Sequence, residues 1–186
     1  MRWLGGCLAA VLMAGCATAS FTAVSGKLAL LDQGFEATLP EGWYRAAAVR
    51  EALLLTRDGP QLQFIYLQRV SLEKELSHTK RRLARGMPPR DAVELEAENL
   101  RANHAAIDFG LLEKAPFTVA GQPGFRLVYT WKTKEGLRLK AVHYGVLHGN
   151  GLYRLIYQAA ARHYFDRDLE TFERVRESFR LSSPAS

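Results

Sequence analysis

The run FRLVYTWK at 125–132, followed by LRLKAVHYGVL at 137–147 and LYRLIYQAA at 152–160, decides the fold. Successive side chains of an extended chain point to opposite faces, so Phe125, Leu127, Tyr129 and Trp131 share one side. The second run answers with Leu137, Leu139, Ala141, His143 and Leu147 on one face and Val142, Tyr144 and Val146 on the other. Turn formers fill the gaps: Thr133 to Gly136, then His148-Gly149-Asn150-Gly151. Three adjacent strands with short connections make an antiparallel meander. Both faces carry apolar residues, so both need cover.

Two segments supply that cover. In YFDRDLETFERVRESFRL at 164–181, Phe165, Leu169, Phe172, Val175 and Phe179 recur at helical spacing and form one apolar stripe. Asp166 and Asp168 near its start, and Arg174, Arg176 and Arg180 near its end, suit the helix dipole. The stretch DAVELEAENLRANHA at 91–105 is the second helix, with Asp91 as its cap and Val93, Ala97, Leu100 and His104 on one face. An antiparallel sheet between helices is an α/β/α sandwich of α+β character.

Upstream, KLALLD and GFEATL read as a strand pair or as one broken strand, and Pro40-Glu41-Gly42-Trp43 as a turn followed by an aromatic. EALLLTR at 51–57 and QLQFIYLQR at 61–69 flank Asp58-Gly59-Pro60 as a hairpin. Residues 70–88 are charged and close on Gly86-Met87-Pro88, with Pro89 next, which predicts an ordered loop. Residues 108–114 lead into a short strand and a turn over Ala120 to Gly124.

The N-terminus carries a separate message. Arg2 precedes a short apolar run from Trp3 to Met13, and Ala14-Gly15 lead directly into Cys16. A positive start, a short apolar core and small residues make a secretory signal, too short to span a bilayer. The stretch LMAGC resembles the bacterial lipoprotein box, whose cysteine receives diacylglycerol and acyl chains such as palmitate. Each buried methylene contributes about 0.8 kcal/mol, so two or three chains form a durable anchor. The expected organisation is a signal peptide over 1–15, lipidated Cys16 with a tether over 16–26, and one domain over 27–183. Ala17 follows the cysteine where an inner-membrane retention signal has aspartate, which leans toward the outer membrane, facing the periplasm.

Removing the signal leaves about 170 residues, the size of one domain. Cys7 leaves with it and Cys16 is taken by lipid, so the domain has no thiol for a disulfide, a zinc site or a nucleophile. Folding then rests on apolar burial, which 48% hydrophobic residues permit. The net charge of +6 becomes +5 without Arg2. For an exported domain that excess suits anionic lipid, an acidic partner or plain solubility, and export separates the domain from nucleic acid.

The order TLPEGW, a long helix, VAGQPGFRLVYTW, HYGVLHGNGLYRLIYQA and HYFDRDLETFERVRESFRL resembles the PsbP-like superfamily. That superfamily includes the extrinsic photosystem II subunit, a Ran-binding nuclear import factor and many bacterial lipoproteins of unknown function. The resemblance covers most of residues 27–181. It implies an α/β/α sandwich around an antiparallel sheet and a tendency to bind proteins rather than catalyse. It carries no residue-level function, because the binding surfaces of the members differ.

Catalytic patterns are missing. No GxSxG elbow, phosphate loop or HExxH helix occurs. Among His78, His104, His143, His148 and His163, a metal site would need His148 and His163 to meet Asp166 or Asp168, and a surface or capping role is the commoner fate. Glu170, Glu173 and Glu177, interleaved with arginines, read as an ion-paired helix face. No cofactor is expected. The compact run Lys80-Arg81-Arg82-Leu83-Ala84-Arg85 is the candidate contact: Lys80, Arg81, Arg82 and Arg85 suit anionic head groups or an acidic protein partner. Its competing reading is a solvated run screened by Glu73, Glu75 and Asp91. Trp43 and Trp131 are expected in the core rather than in a cleft. The expected function is that of a non-catalytic envelope lipoprotein that binds a partner, with a lipid or small-molecule carrier, using an apolar pocket beside the sheet, as the alternative.

Overall fold

Tight turns and alternating side chains build one large sheet. The computed structural model describes residues 20–30, 32–47 and 52–182. In chain order the elements are β1 (Phe21–Leu30), β2 (Phe35–Ala46), β3 (Ala52–Thr56), β4 (Gln63–Ser71), α1 (Pro89–Arg101), β5 (Ile107–Val119), β6 (Gln122–Lys132), β7 (Arg138–His148), β8 (Gly151–Ala160), α2 (Tyr164–Ser178) and β9 (Arg180–Leu181). The sheet runs β1-β2-β3-β4-β8-β7-β6-β5, with β9 pairing the start of β2, and every pairing is antiparallel. The chain therefore builds one half of the sheet from its first four strands and the other half from the meander. The seam between them is β4 on β8, paired from Gln63↔Ala159 to Ser71↔Gly151.

The two faces are covered by different helices. Phe165, Phe172 and Val175 of α2 bury against Leu53, Leu55, Ile65, Leu67, Leu155 and Tyr157. Tyr157 stacks on Phe165 and Phe172 at ring separations of 5.5 and 5.7 Å. Ala92, Val93, Leu95 and Ala97 of α1 bury against Phe125, Leu127, Tyr129 and Ala141 on the opposite face, over β5 to β7. This is the α/β/α sandwich that the meander and the two apolar stripes predict.

Several boundaries differ from the sequence reading. The helix α1 starts at Pro89, because proline at the first helical position lacks only an N–H that would be unpaired anyway, and Asp91 sits inside its first turn. It ends at Arg101, so His104 is exposed beyond it instead of continuing the buried face. The helix α2 ends at Ser178; Phe179 is extended yet still packs on Phe35, 5.3 Å between rings. Pro40-Glu41-Gly42-Trp43 is part of β2, where a register shift opposite Val24 to Gly26 absorbs Gly42 at φ +72°. Residues 21–26, expected as tether, are the first half of β1, since pairing with β2 satisfies their backbone. The strand after α1 is 13 residues long, bent by two register shifts, and its turn is the two-residue Ala120-Gly121, both at positive φ. The signal segment, Cys16 and residues 17–19 lie outside the described residues.

Candidate functional site

The loop between β4 and α1 is a fixed structure. Leu76 and Leu83 insert into the core beneath α1, and Met87 packs beside them. The side-chain oxygen Oδ1 of Asn99 accepts from the backbone N–H of His78 at 2.9 Å and of Thr79 at 3.3 Å. The Leu76 N–H donates to the Arg81 carbonyl at 2.8 Å, and Lys80 takes a positive φ of 59° to close that turn.

This frame sorts the basic run. Arg81 donates to Glu98 at 2.5 Å, and Arg82 donates to Glu75 at 3.1 Å. The Lys80 ammonium donates to the Ser77 carbonyl at 2.8 Å. Arg85 is exposed and has no hydrogen-bond or ion-pair partner among the described residues. It stands at the mouth of a cleft of 390 Å³ between the end of the loop, the start of α1 and the β5–β6 and β7–β8 turns. Leu72, Met87, Phe125 and Leu147 give the cleft an apolar floor, and Gln122 and His148 give it polar walls.

Two glycines shape that floor. A Cβ on Gly145 would lie 2.1 Å from the Phe125 ring, and one on Gly124 would lie 2.3 Å from the Gly145 carbonyl oxygen. Only bare backbone lets Phe125 lie flat across β7.

Beneath Phe125 lies a buried polar cluster. The His143 ring sits 5.6 Å from Phe125, and neither of its nitrogens has a hydrogen-bond partner. Burial, with the nearby Arg154 charge, pushes the His143 pKa down to about 3, so the imidazole is neutral. Glu96 of α1, only 1% exposed, accepts two hydrogen bonds from Arg154 of β8, at 2.6 and 3.0 Å. Arg154 faces Gly145 across the β7–β8 ladder, which leaves room for the guanidinium. On the other face, buried Asp168 accepts from Arg57 at 3.0 Å, from Gln63 at 3.0 Å and from Arg167 at 2.6 Å, clamping α2 to the β3–β4 hairpin. These are structural ion pairs: charges removed from water and paired by fixed geometry.

The other candidates fall into place. His148 and His163 lie beyond opposite ends of β8, roughly 30 Å apart along a ten-residue strand, and Asp168 is occupied by arginines. No group of three metal-ligating side chains occurs among the described residues. Glu170, Glu173 and Glu177 pair with Arg174 and Arg176, and Glu173 also accepts from the Tyr144 hydroxyl at 2.8 Å. Trp43 is in the core as expected, whereas Trp131 is only half-buried, packed on the rim of the α1 core because its indole N–H donates to Gln158 at 3.0 Å. Sequence reading passed over Glu96, Asn99 and Arg154. The signal for Glu96 was present: it stands three and four residues after Val93 and Ala92, on the apolar stripe of α1.

One antiparallel sheet with a helix packed on each face defines the class, an α/β/α sandwich of α+β type. Its particular form is the PsbP-like fold. The chain superposes on the cyanobacterial PsbP protein CyanoP of Synechocystis sp. PCC 6803 with a TM-score of 0.59 at 16% identity, over 96% of this chain and 98% of that one. The Ran-binding protein Mog1p of Saccharomyces cerevisiae matches with a TM-score of 0.54 at 9% identity, over 86% and 96%. LpqN of Mycobacterium tuberculosis, described as involved in cell envelope biogenesis, matches with a TM-score of 0.54 at 11% identity, over 89% and 92%. No family profile and no curated protein sequence matches this chain.

Proposed function

We propose that this chain is a lipid-anchored protein of the bacterial cell envelope whose PsbP-like domain is a non-catalytic binding module. Lipid on Cys16 holds it at the outer membrane, facing the periplasm, and the cleft beside Arg85 takes an acidic segment of a protein partner. The observation that carries the reading is the sorting of the basic loop: Arg81 and Arg82 are neutralised by Glu98 and Glu75, while Arg85, unpaired among the described residues, stands over an apolar floor. A cationic rim over a fixed apolar cleft suits an anionic, partly apolar segment. The LMAGC stretch supports the anchor. The involvement of LpqN in envelope biogenesis supports the compartment, and the Ran-binding activity of Mog1p supports protein binding by this fold.

Crosslinking in intact cells, then purification of the tagged full-length protein and mass spectrometry, tests the reading. One reproducible protein partner, lost with Arg85→Glu and kept with Arg81→Ala, is the expected result. The cleft volume falls within the range of small-ligand pockets, about 300–1,000 Å³, which favours a carrier as the second reading. A stoichiometric small molecule or lipid with no protein partner would establish that reading instead. Cys16→Ser releases the protein from the membrane fraction under either one, and retention would overturn the anchor.

A further inference from the structure

The side of the sheet facing α1 is covered by that helix over β5 to β7, and α1 does not reach β1 to β3. There, on the face opposite the α2 core, Phe21 and Tyr44 are each 43% exposed, and they flank an apolar pocket of 250 Å³ completed by Thr56, Arg57 and Gly59. Leu54 continues the same face, half-buried, because it lies two residues before Thr56 on β3. Tyr44 pairs with Thr56 across the β2–β3 ladder and with Ala23 across the β1–β2 ladder, so Tyr44 and Phe21 project to one side.

The strand β1 begins at Phe21. Five residue steps separate it from Cys16, a reach of about 17 Å when fully extended. A domain of this size has a radius of gyration of about 15 Å. A lipid on Cys16 therefore keeps the start of β1 at the bilayer surface, because the link is no longer than the domain is wide. Aromatic rings with a polar handle, such as Tyr44, are at home where head groups meet acyl chains. Arg57 closes the end of that pocket with its charge already paired to Asp168 on the α2 side, so the patch itself is aromatic and apolar.

We propose that the Phe21–Tyr44 face of β1 to β3 is a membrane-docking surface that lies against the bilayer holding the Cys16 lipid and fixes the orientation of the domain. This rests on the anchor reading above. In that orientation α2, on the opposite face of the sheet, points away from the membrane.

The test uses full-length lipidated protein reconstituted in phosphatidylethanolamine–phosphatidylglycerol vesicles. Under the anchor reading Cys7 is removed with the signal and Cys16 is blocked by lipid, so one added cysteine is the only free thiol. Tyr44→Cys and, separately, Glu170→Cys on the solvent side of α2 are labelled with a polarity-sensitive fluorophore. Doxyl-labelled lipid is then added as quencher. The expected result is a blue shift and loss of emission at position 44 and neither at position 170. Protein that floats with the vesicles but shows no shift at 44, or equal quenching at both positions, overturns the docking surface and leaves the anchor standing. Protein that fails to float overturns the anchor, and the docking surface with it. A label at Phe21→Cys repeats the measurement if Tyr44→Cys does not fold.

Discussion

The Glu96 carboxylate and the Arg154 guanidinium meet through two parallel hydrogen bonds, 2.6 and 3.0 Å long, in the layer between α1 and the sheet. The pair fixes how α1 sits on β8, with the Glu96 carboxylate shut away from water and the Arg154 guanidinium mostly so. Glu96→Ala leaves the guanidinium without its counter-charge, and the expected loss is about 3 kcal/mol of unfolding free energy. The double variant Glu96→Leu, Arg154→Met recovers most of it, since an apolar pair of similar volume suits the site. Urea unfolding of the three proteins checks both statements.

His143 predicts an acid-sensitive domain. Its folded pKa of about 3 lies below the value near 6.5 of the unfolded chain, so the unfolded state binds the extra proton. Above pH 6.5 the group contributes no slope. Between 6.5 and about 3, stability falls as pH falls, by up to about 1.4 kcal/mol per pH unit from this residue. His143→Leu should flatten that part of the stability profile, which urea midpoints between pH 7 and pH 4.5 will show. A profile as steep as the parent's would assign the slope to other groups.

Gly145→Ala places a methyl group inside the Phe125 ring. Overpacking of this kind costs about 1–3 kcal/mol. The floor of the cleft should also move, so partner capture should weaken more than thermal stability alone explains. Pairing Gly145→Ala with Phe125→Leu should relieve the clash, and thermal unfolding of the single and double variants reads the difference.

Asn99→Ala removes the acceptor that holds the backbone of His78 and Thr79. The expected cost is about 1–2 kcal/mol, concentrated in the loop over 72–88. Hydrogen exchange should rise at residues 77–82 while the sheet amides keep their protection. Uniform acceleration across the whole domain would mean that Asn99 supports the core rather than the loop.

Alternation in the meander and the stripe of α2 made the sandwich legible, because burial of one face leaves a period in the sequence. Phe125, Leu127 and Tyr129 lie where that period puts them, and so do Phe165, Phe172 and Val175. The start of α1 is not legible in the sequence, because Pro89 reads equally well as a loop residue and as a first helical residue. Tertiary packing alone chooses between them. His104 follows the helical period of α1, yet the helix stops before it, since the chain must turn into β5.

What the sequence by itself determined is the three-strand meander with its antiparallel order, the helix of 164–178 and the two apolar surfaces that need each other. These follow from local geometry, in which a side chain's face is set by its position along the strand or helix. The tertiary structure alone decided which charges are free. Arg81, Arg82 and Arg85 are alike in sequence, but Glu98 comes from α1 and Glu75 from across the loop, and among the described residues no acid reaches Arg85. The same holds for β1, whose residues 21–26 have little apolar pattern and become a strand only because β2 offers them hydrogen-bond partners. Pairing between distant segments depends on the whole folded arrangement, and it is this arrangement that leaves Phe21 and Tyr44 exposed together.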